Sequence, residues 1–273
     1  MSQTFPFFQI DAFASRAFMG NQACVMPMDI FLEDATLQAI AAENNVAETA
    51  FIVPEAEGCW ALRWFTPTVE VPLCGHATLA AAHVIYQHLN YTGPKICFST
   101  RQSGHLYVEK TDSGLQMDFP ASPVKPIPVT DEIVNALGAE PMEVWQGNFM
   151  ACIFADPESI TKLKPDFSLL AQIGPDTPGW EIGNVGCLAM GGQAGADVTS
   201  RFFAPGSGID EDPATGAWHC MLAPLIAARS GQTILQCYQA YPTRGAWIET
   251  RFSAPRVQLK GAAVSVIEGV FRL

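Results

Sequence analysis

Leu73-Cys74-Gly75-His76-Ala77-Thr78 runs straight into Leu79-Ala80-Ala81-Ala82-His83-Val84-Ile85, and the junction decides how the chain must fold. The second stretch is apolar on nearly every face, so a helix formed from it has no side to offer to water. Such a helix belongs inside something, and a strongly curved sheet wrapped around it is the natural package. The polar turn ahead of it makes a helix N-terminus, whose unpaired backbone N–H groups and positive dipole end can receive a carboxylate. A second junction of this kind follows: Glu211-Asp212-Pro213-Ala214-Thr215-Gly216-Ala217 precedes Cys220-Met221-Leu222-Ala223-Pro224-Leu225-Ile226. Pro224 predicts a kink or an early stop in that second helix.

Laying Gly75 on Gly216 puts Ala82 on Ala223 and Ile85 on Ile226, a faint internal duplication. Around the first junction, strand patterns occupy 5–13, 48–53, 61–65, 95–100, 105–110 and 115–119, with a helical spacing over 32–44 and a helix over 78–89 after the Gly75-His76 turn. Gly20-Asn21 reads as a turn. Pro120, Pro123, Pro126 and Pro128 form a stiff, extended stretch that suits neither a central strand nor a helix interior. It marks a boundary between a first domain, 1–120, and a second, 129–262, with the C-terminal strand 263–273 as a candidate to complete the first. In the second domain a helix starts with Asp131 near its cap. Strand patterns follow at 142–145, 150–154, 185–190 and 198–203.

Of the 273 residues, 49% are hydrophobic and 15% charged, which suits a compact globular chain. A net charge of -12 argues against nucleic acid or an anionic membrane as partner, since both would repel it. The eight cysteines form no Cys-x-x-Cys pair, so a structural zinc site is not expected and reduced thiols serving as small core residues are. Residues 1–11 lack a basic segment and a long apolar core, and no apolar stretch is long enough to span a bilayer, so a cytoplasmic location is expected. With no Gly-x-Gly-x-x-Gly and no Walker-type loop, no nucleotide cofactor is expected, and without paired cysteines or a His-rich cluster no metal is expected either.

Chemistry concentrates in few residues. Glu48 directly precedes an apolar strand. It is either a strand-edge acid bonded to a loop or, if partly buried, a general base able to exchange a proton near neutral pH. His76 stands at a helix start beside Cys74, where a capping role competes with substrate contact. Asp212 before proline suits a turn or cap as well as a catalytic site. Cys74, Gly75, Gly216 and Ala217 are candidates for holding a substrate carboxylate. For Arg63, Glu70, Arg201 and Asp210, paired or solvated roles suffice.

Gln9-Ile10-Asp11-Ala12-Phe13, Gly20-Asn21, Glu48-Thr49-Ala50-Phe51, Arg63-Trp64-Phe65-Thr66-Pro67, Leu73 to Thr78, Met117-Asp118-Phe119-Pro120 and Glu211 to Gly216, taken in order, resemble the phenazine-biosynthesis-protein (PhzF-like) family. The resemblance implies the diaminopimelate-epimerase-like α/β (α+β) fold: two similar domains, each a curved, mostly antiparallel sheet or barrel around a central helix, with the site in the cleft between them. It also implies cofactor-free isomerisation and a homodimer. A glutamate at the position of Glu48 would move a proton between two carbons of a small cyclic acid, with His76 and Asp212 lining the site. Three positions depart from the family pattern: Ala47 and Gln22, where many members carry serine and proline, and Ala217, where the characterised isomerase has serine.

The expected function is therefore a cofactor-independent isomerase of a small carboxylic acid. The alternatives are an amino-acid racemase or epimerase and a non-catalytic binding protein on the same fold. A two-thiol racemase is disfavoured because Asp212 to Gly216 holds no cysteine and Cys220 lies about a turn further into the helix.

Overall fold

The computed structural model describes residues 3–174 and 181–273. Met1, Ser2 and 175–180, which the sequence reading assigns to the first and second domains, lie outside the described residues. The chain divides into two compact units, Met1–Asp118 with Lys260–Leu273 and Phe119–Leu259.

Unit 1 is built from β1 (Thr4–Ala12), β2 (Asn21–Pro27), α1 (Asp34–Asn44), β3 (Glu48–Ala56), β4 (Cys59–Phe65), β5 (Glu70–Val71), α2 (Gly75–Gln87), β6 (Lys95–Ser99), β7 (His105–Thr111) and β8 (Gly114–Pro120). Unit 2 takes up β9 (Lys125–Ile127), α3 (Asp131–Leu137), β10 (Glu143–Gln146), β11 (Met150–Ile153), α4 (Pro157–Lys162), α5 (Phe167–Leu170), β12 (Val185–Met190), β13 (Val198–Phe203), β14 (Glu211–Asp212), α6 (Gly216–Ser230), β15 (Ile234–Gln239), β16 (Ala246–Ser253) and β17 (Arg256–Gly261). The chain then returns to unit 1 as β18 (Ala263–Arg272), which pairs antiparallel with β1 from Thr4↔Arg272 to Ala12↔Ala263.

The duplication is plain in the pairing. In unit 1 the steps β1/β2, β2/β3, β3/β4, β4/β6 and β6/β7 alternate antiparallel, parallel, antiparallel, parallel, antiparallel. In unit 2 the steps β10/β11, β11/β12, β12/β13, β13/β15 and β15/β16 run in the same series. A parallel pair needs a crossover and is covered on both faces, which explains strands with hardly a polar residue. On one face of unit 1, Met26 and Phe51 pack with Leu37 and Ile40 of α1. The other face carries α2, buried at ten successive or near-successive positions from His76 to Tyr86, against β1, β2, β3 and β18. In unit 2 the alternation repeats: Ala151, Ile153 and Leu188 meet Trp218, Leu222 and Leu225 of α6, while Met150, Cys152 and Cys187 meet α3 to α5 through Ile133, Leu137, Ile160 and Leu170.

Several local expectations change. Helix α2 starts at Gly75, three residues ahead of the predicted start, because Thr78 bonds back to the Cys74 carbonyl through both its amide (3.1 Å) and its hydroxyl (2.6 Å). Asn21 opens β2 and is not the turn residue. Gly20 makes the turn at φ 63°, where a Cβ would fall 2.0 Å from the Ala12 carbonyl oxygen. Helix α6 is neither stopped nor shortened at Pro224. The proline has no N–H for the Cys220 carbonyl, and the Ser122 amide takes that role at 3.0 Å, docking the proline-rich stretch onto the helix. Asp131 is the first helical residue, and Thr130 is the cap, its side chain accepting from the Ile133 amide. Pro126 does enter a strand, the three-residue β9, which pairs with β10. The short helices α4 and α5 carry too few turns for a periodic signal.

Each unit also contains one charged strut. Arg63 grips Glu70 with two bonds, at 2.7 and 2.8 Å, and Arg201 grips Glu211 the same way at 2.8 and 2.6 Å. Both guanidinium groups lie over a phenylalanine two residues on, Phe65 and Phe203. Each strut ties β4 or β13 to the short strand (β5 or β14) leading to a central helix. The second is the drier, with both side chains under a tenth exposed, and Arg201 also donates to the Leu163 carbonyl at 2.8 Å, closing the end of α4. Glu70 is more open, and Arg63 has Asp34 as a second acid. Removing one partner of a buried pair strands the other's charge at a cost of about 3–5 kcal/mol. Glu211→Gln should therefore lower the unfolding free energy in urea by about 3 kcal/mol, and Glu70→Gln by clearly less. Equal losses would contradict this account of the struts.

Candidate active site

Glu48 is the first residue of β3, fixed by parallel pairing with Ala23 of β2. Ahead of it α1 ends at Asn45 in the left-handed conformation, and Asn44 Nδ2 donates to Thr49 Oγ1 at 3.0 Å, so the chain enters the strand at a set angle. His76 is the second residue of α2 and buried. Its Nε2 lies 2.9 Å from Glu48 Oε2. The contact is close yet poorly aligned, and neither of these two buried atoms completes a well-directed hydrogen bond. On the ring's other edge, Asn21 Nδ2 is 3.3 Å and Cys74 Sγ 3.5 Å from Nδ1. An amide nitrogen only donates, so in the neutral ring Nδ1 accepts and the proton sits on Nε2, facing Glu48.

Burial opposes a charge on His76, but Cys74 and the Glu48 carboxylate outweigh it and move the ring well above its ordinary value. Burial and then Glu48 push the Cys74 thiol up, against the pull of His76 and the Ala77 amide. Cys74 thus holds its proton more tightly than a free thiol, and Glu48 is the acid in contact with His76 Nε2. Glu48 keeps 17% side-chain exposure, enough to meet a ligand. No side chain caps the first turn of α2, so Gly75 stands at an amide-rich helix start beside the pair.

Unit 2 repeats the frame with other groups. Asp212 ends β14, and its Oδ2 accepts from Thr215 Oγ1 at 2.5 Å. Gln239, fully buried on β15, locks this turn. Its Oε1 accepts from the Thr215 amide at 2.9 Å, while Nε2 donates to the Asp212 carbonyl at 2.6 Å and Thr215 Oγ1 at 3.1 Å. Gly216 and Ala217 open α6, again without a side-chain cap. Thr215 stands where the first copy has Cys74. His219 stands where it has Thr78, and His219 Nδ1 donates to the Thr215 carbonyl at 2.8 Å as Thr78 Oγ1 does to that of Cys74. Burial holds His219 down to about 4, so it is neutral.

Glu48, His76 and Cys74 thus meet within unit 1, and Asp212, Gly216 and Ala217 within unit 2. Asn21 and Gln239, one beside His76 and the other beneath Asp212, were not picked out as site residues from sequence. Gln239 lies 24 residues beyond the turn it clamps and carries no local signal.

Residues 10–269 match the family model described as phenazine biosynthesis-like protein. An uncharacterized isomerase of Pseudomonas aeruginosa is 41% identical over 268 residues, covering 98% of each chain. The crystal structure of a PhzF-family phenazine biosynthesis protein from Enterococcus faecalis superposes with a TM-score of 0.92 at 36% identity, over 99% of this chain and 100% of that one. A hydroxyproline epimerase from Agrobacterium vitis is similar in fold alone, with a TM-score of 0.60 at 9% identity over 99% of this chain and 93% of its own. The architecture is the diaminopimelate-epimerase-like one.

His219 makes a pH prediction. Its folded value, about 4, lies below the roughly 6.5 of an unfolded histidine, so the folded state binds fewer protons. The stability involved is present above that unfolded value and is lost as pH falls towards 4. Between pH 7 and 4.5 the wild type should lose about 2 kcal/mol more than His219→Gln, by urea unfolding at both pH values. Parallel losses would refute the buried neutral assignment.

Proposed function

The chain belongs to the phenazine biosynthesis-like protein family, whose relatives include proteins named as isomerases, and on that premise we propose that it is a cofactor-independent isomerase of a small carboxylic acid. The supporting observation is the Glu48–His76 contact at 2.9 Å, in which a partly exposed carboxylate meets a buried imidazole and neither has a well-aligned bond to satisfy it.

Glu48 takes a proton from a carbon next to a conjugating group and returns it to another carbon on the same face. A single carboxylate performs both steps. Charge develops on the conjugating group in between, and His76 Nε2–H is placed to answer the negative charge that Glu48 loses and regains. Each uncapped helix start is suited to receive a carboxylate, Gly75 with Cys74 in unit 1 and Gly216 with Ala217 in unit 2, and Asp212, steadied by Thr215 and Gln239, is suited to a polar substituent. Ala217 brings no hydroxyl, so the amides alone act there. The protein works as a cytoplasmic homodimer in a biosynthetic step.

A racemase or epimerase reading draws on one observation, the Cys74 thiol 3.5 Å from His76 Nδ1. It lacks a second thiol, since Thr215 occupies the duplicate position. Solvent-deuterium incorporation into a panel of small unsaturated and hydroxylated carboxylic acids separates the two. Glu48→Gln should slow exchange about a thousandfold with far-UV circular dichroism unchanged. Exchange that ignores Glu48→Gln but disappears in Cys74→Ser would transfer the site to the racemase reading.

A further inference from the structure

Glu48, Cys74 and His76 come from two segments more than twenty residues apart, and together they offer one oxygen, one sulfur and one nitrogen donor, all within 4.8 Å of one another. Zinc takes this mixed set, with bonds of roughly 2.0–2.3 Å that place tetrahedral donors roughly 3.5 Å apart. The shortest contacts meet opposite edges of the ring, Glu48 Oε2 at 2.9 Å from Nε2 and Cys74 Sγ at 3.5 Å from Nδ1, so a single ring nitrogen serves the ion while the three donor atoms stay within 4.8 Å. Glu48 Oε2 and His76 Nε2 are moreover buried without a directed hydrogen bond, so a cation would satisfy atoms that the protein leaves wanting. Three protein ligands with a fourth position open is the arrangement of an exchangeable zinc site, unlike a closed structural one.

We propose that the Glu48–Cys74–His76 cluster captures a borderline-soft divalent cation, zinc foremost, and that the bound ion switches the isomerase off. Sequence offers no warning of it, because the three residues share no ligand spacing. The binding step balances simply: Cys74 sulfur and the ring nitrogen of His76 that turns to the ion each release a proton to solvent, and the ion then bonds to that thiolate, to that nitrogen and to a Glu48 oxygen. With its carboxylate engaged, Glu48 cannot accept a carbon-bound proton. The cation site stands on geometry; only its inhibitory effect rests on the isomerase reading.

Cobalt(II) is the probe, because thiolate ligation gives a near-ultraviolet charge-transfer band and four-coordination gives intense visible bands. Titrating the whole reduced protein should saturate both at one equivalent, and one equivalent of zinc should bleach them. Cys74→Ser should abolish the charge-transfer band, while Glu48→Gln and His76→Asn should each weaken cobalt binding tenfold or more. In the wild type, zinc should also protect Cys74 from iodoacetamide, read by peptide mass spectrometry, which decides the matter should Cys74→Ser fold poorly. Absence of the band, its survival in Cys74→Ser, or indifference to both other variants would overturn the site; the last would mark a simple thiol adduct. Deuterium exchange is read separately. A cobalt site on a protein that exchanges nothing defeats the isomerase reading alone, whereas exchange untouched by zinc at full occupancy defeats the switch.

Discussion

A helix that is apolar all the way round can face water only at its ends. That constraint organises both units. It forces strands to surround α2 and α6, demands parallel pairs covered on both faces, and leaves each helix start as the polar exit from an otherwise dry interior. The candidate site residues gather there, at the one place along these helices where backbone donors stay open. The absence of a side-chain cap at both starts has the same origin: a cap would occupy the donors that make the position useful.

The two copies keep the frame and differ in what they hang on it. Both retain an arginine–glutamate strut, a short strand, a proline and a glycine ahead of the central helix. Against that shared background, sulfur and imidazole in unit 1 are set against hydroxyl and a pinned aspartate in unit 2. The cluster with Glu48 is the one in which a proton acceptor and a proton donor touch, whereas Asp212 is bonded to a threonine inside a turn locked by glutamine. Gln239 sets the rigidity of the second copy's turn.

Much of this was legible in the chain. The apolar runs after Gly75 and Gly216 announced central helices, and ordered motifs pointed to the family. The struts were less visible because the glutamate follows the arginine by ten positions in the second copy and by seven in the first, which breaks any simple overlay. Pro224 does not shorten α6, since the Cys220 carbonyl it leaves free is taken by Ser122, a residue about a hundred positions earlier. Glu48 and His76 could be nominated singly, but their contact depends on β3 pairing with β2 and on α2 lying against both, a tertiary fact without a local pattern. Asn21 looked like turn chemistry since its neighbour Gly20 does make the turn.

The strand β18 has a consequence for biogenesis. It pairs with β1 along nearly its full length, and Ser265 on it meets both His83 of α2 and His88 at that helix's C-cap, at 3.0 and 2.7 Å. The ribosome nevertheless makes it only after all of unit 2. Unit 1 thus begins first and finishes last, and through the intervening translation β1 waits with a row of unsatisfied amides and carbonyls open to other nascent chains.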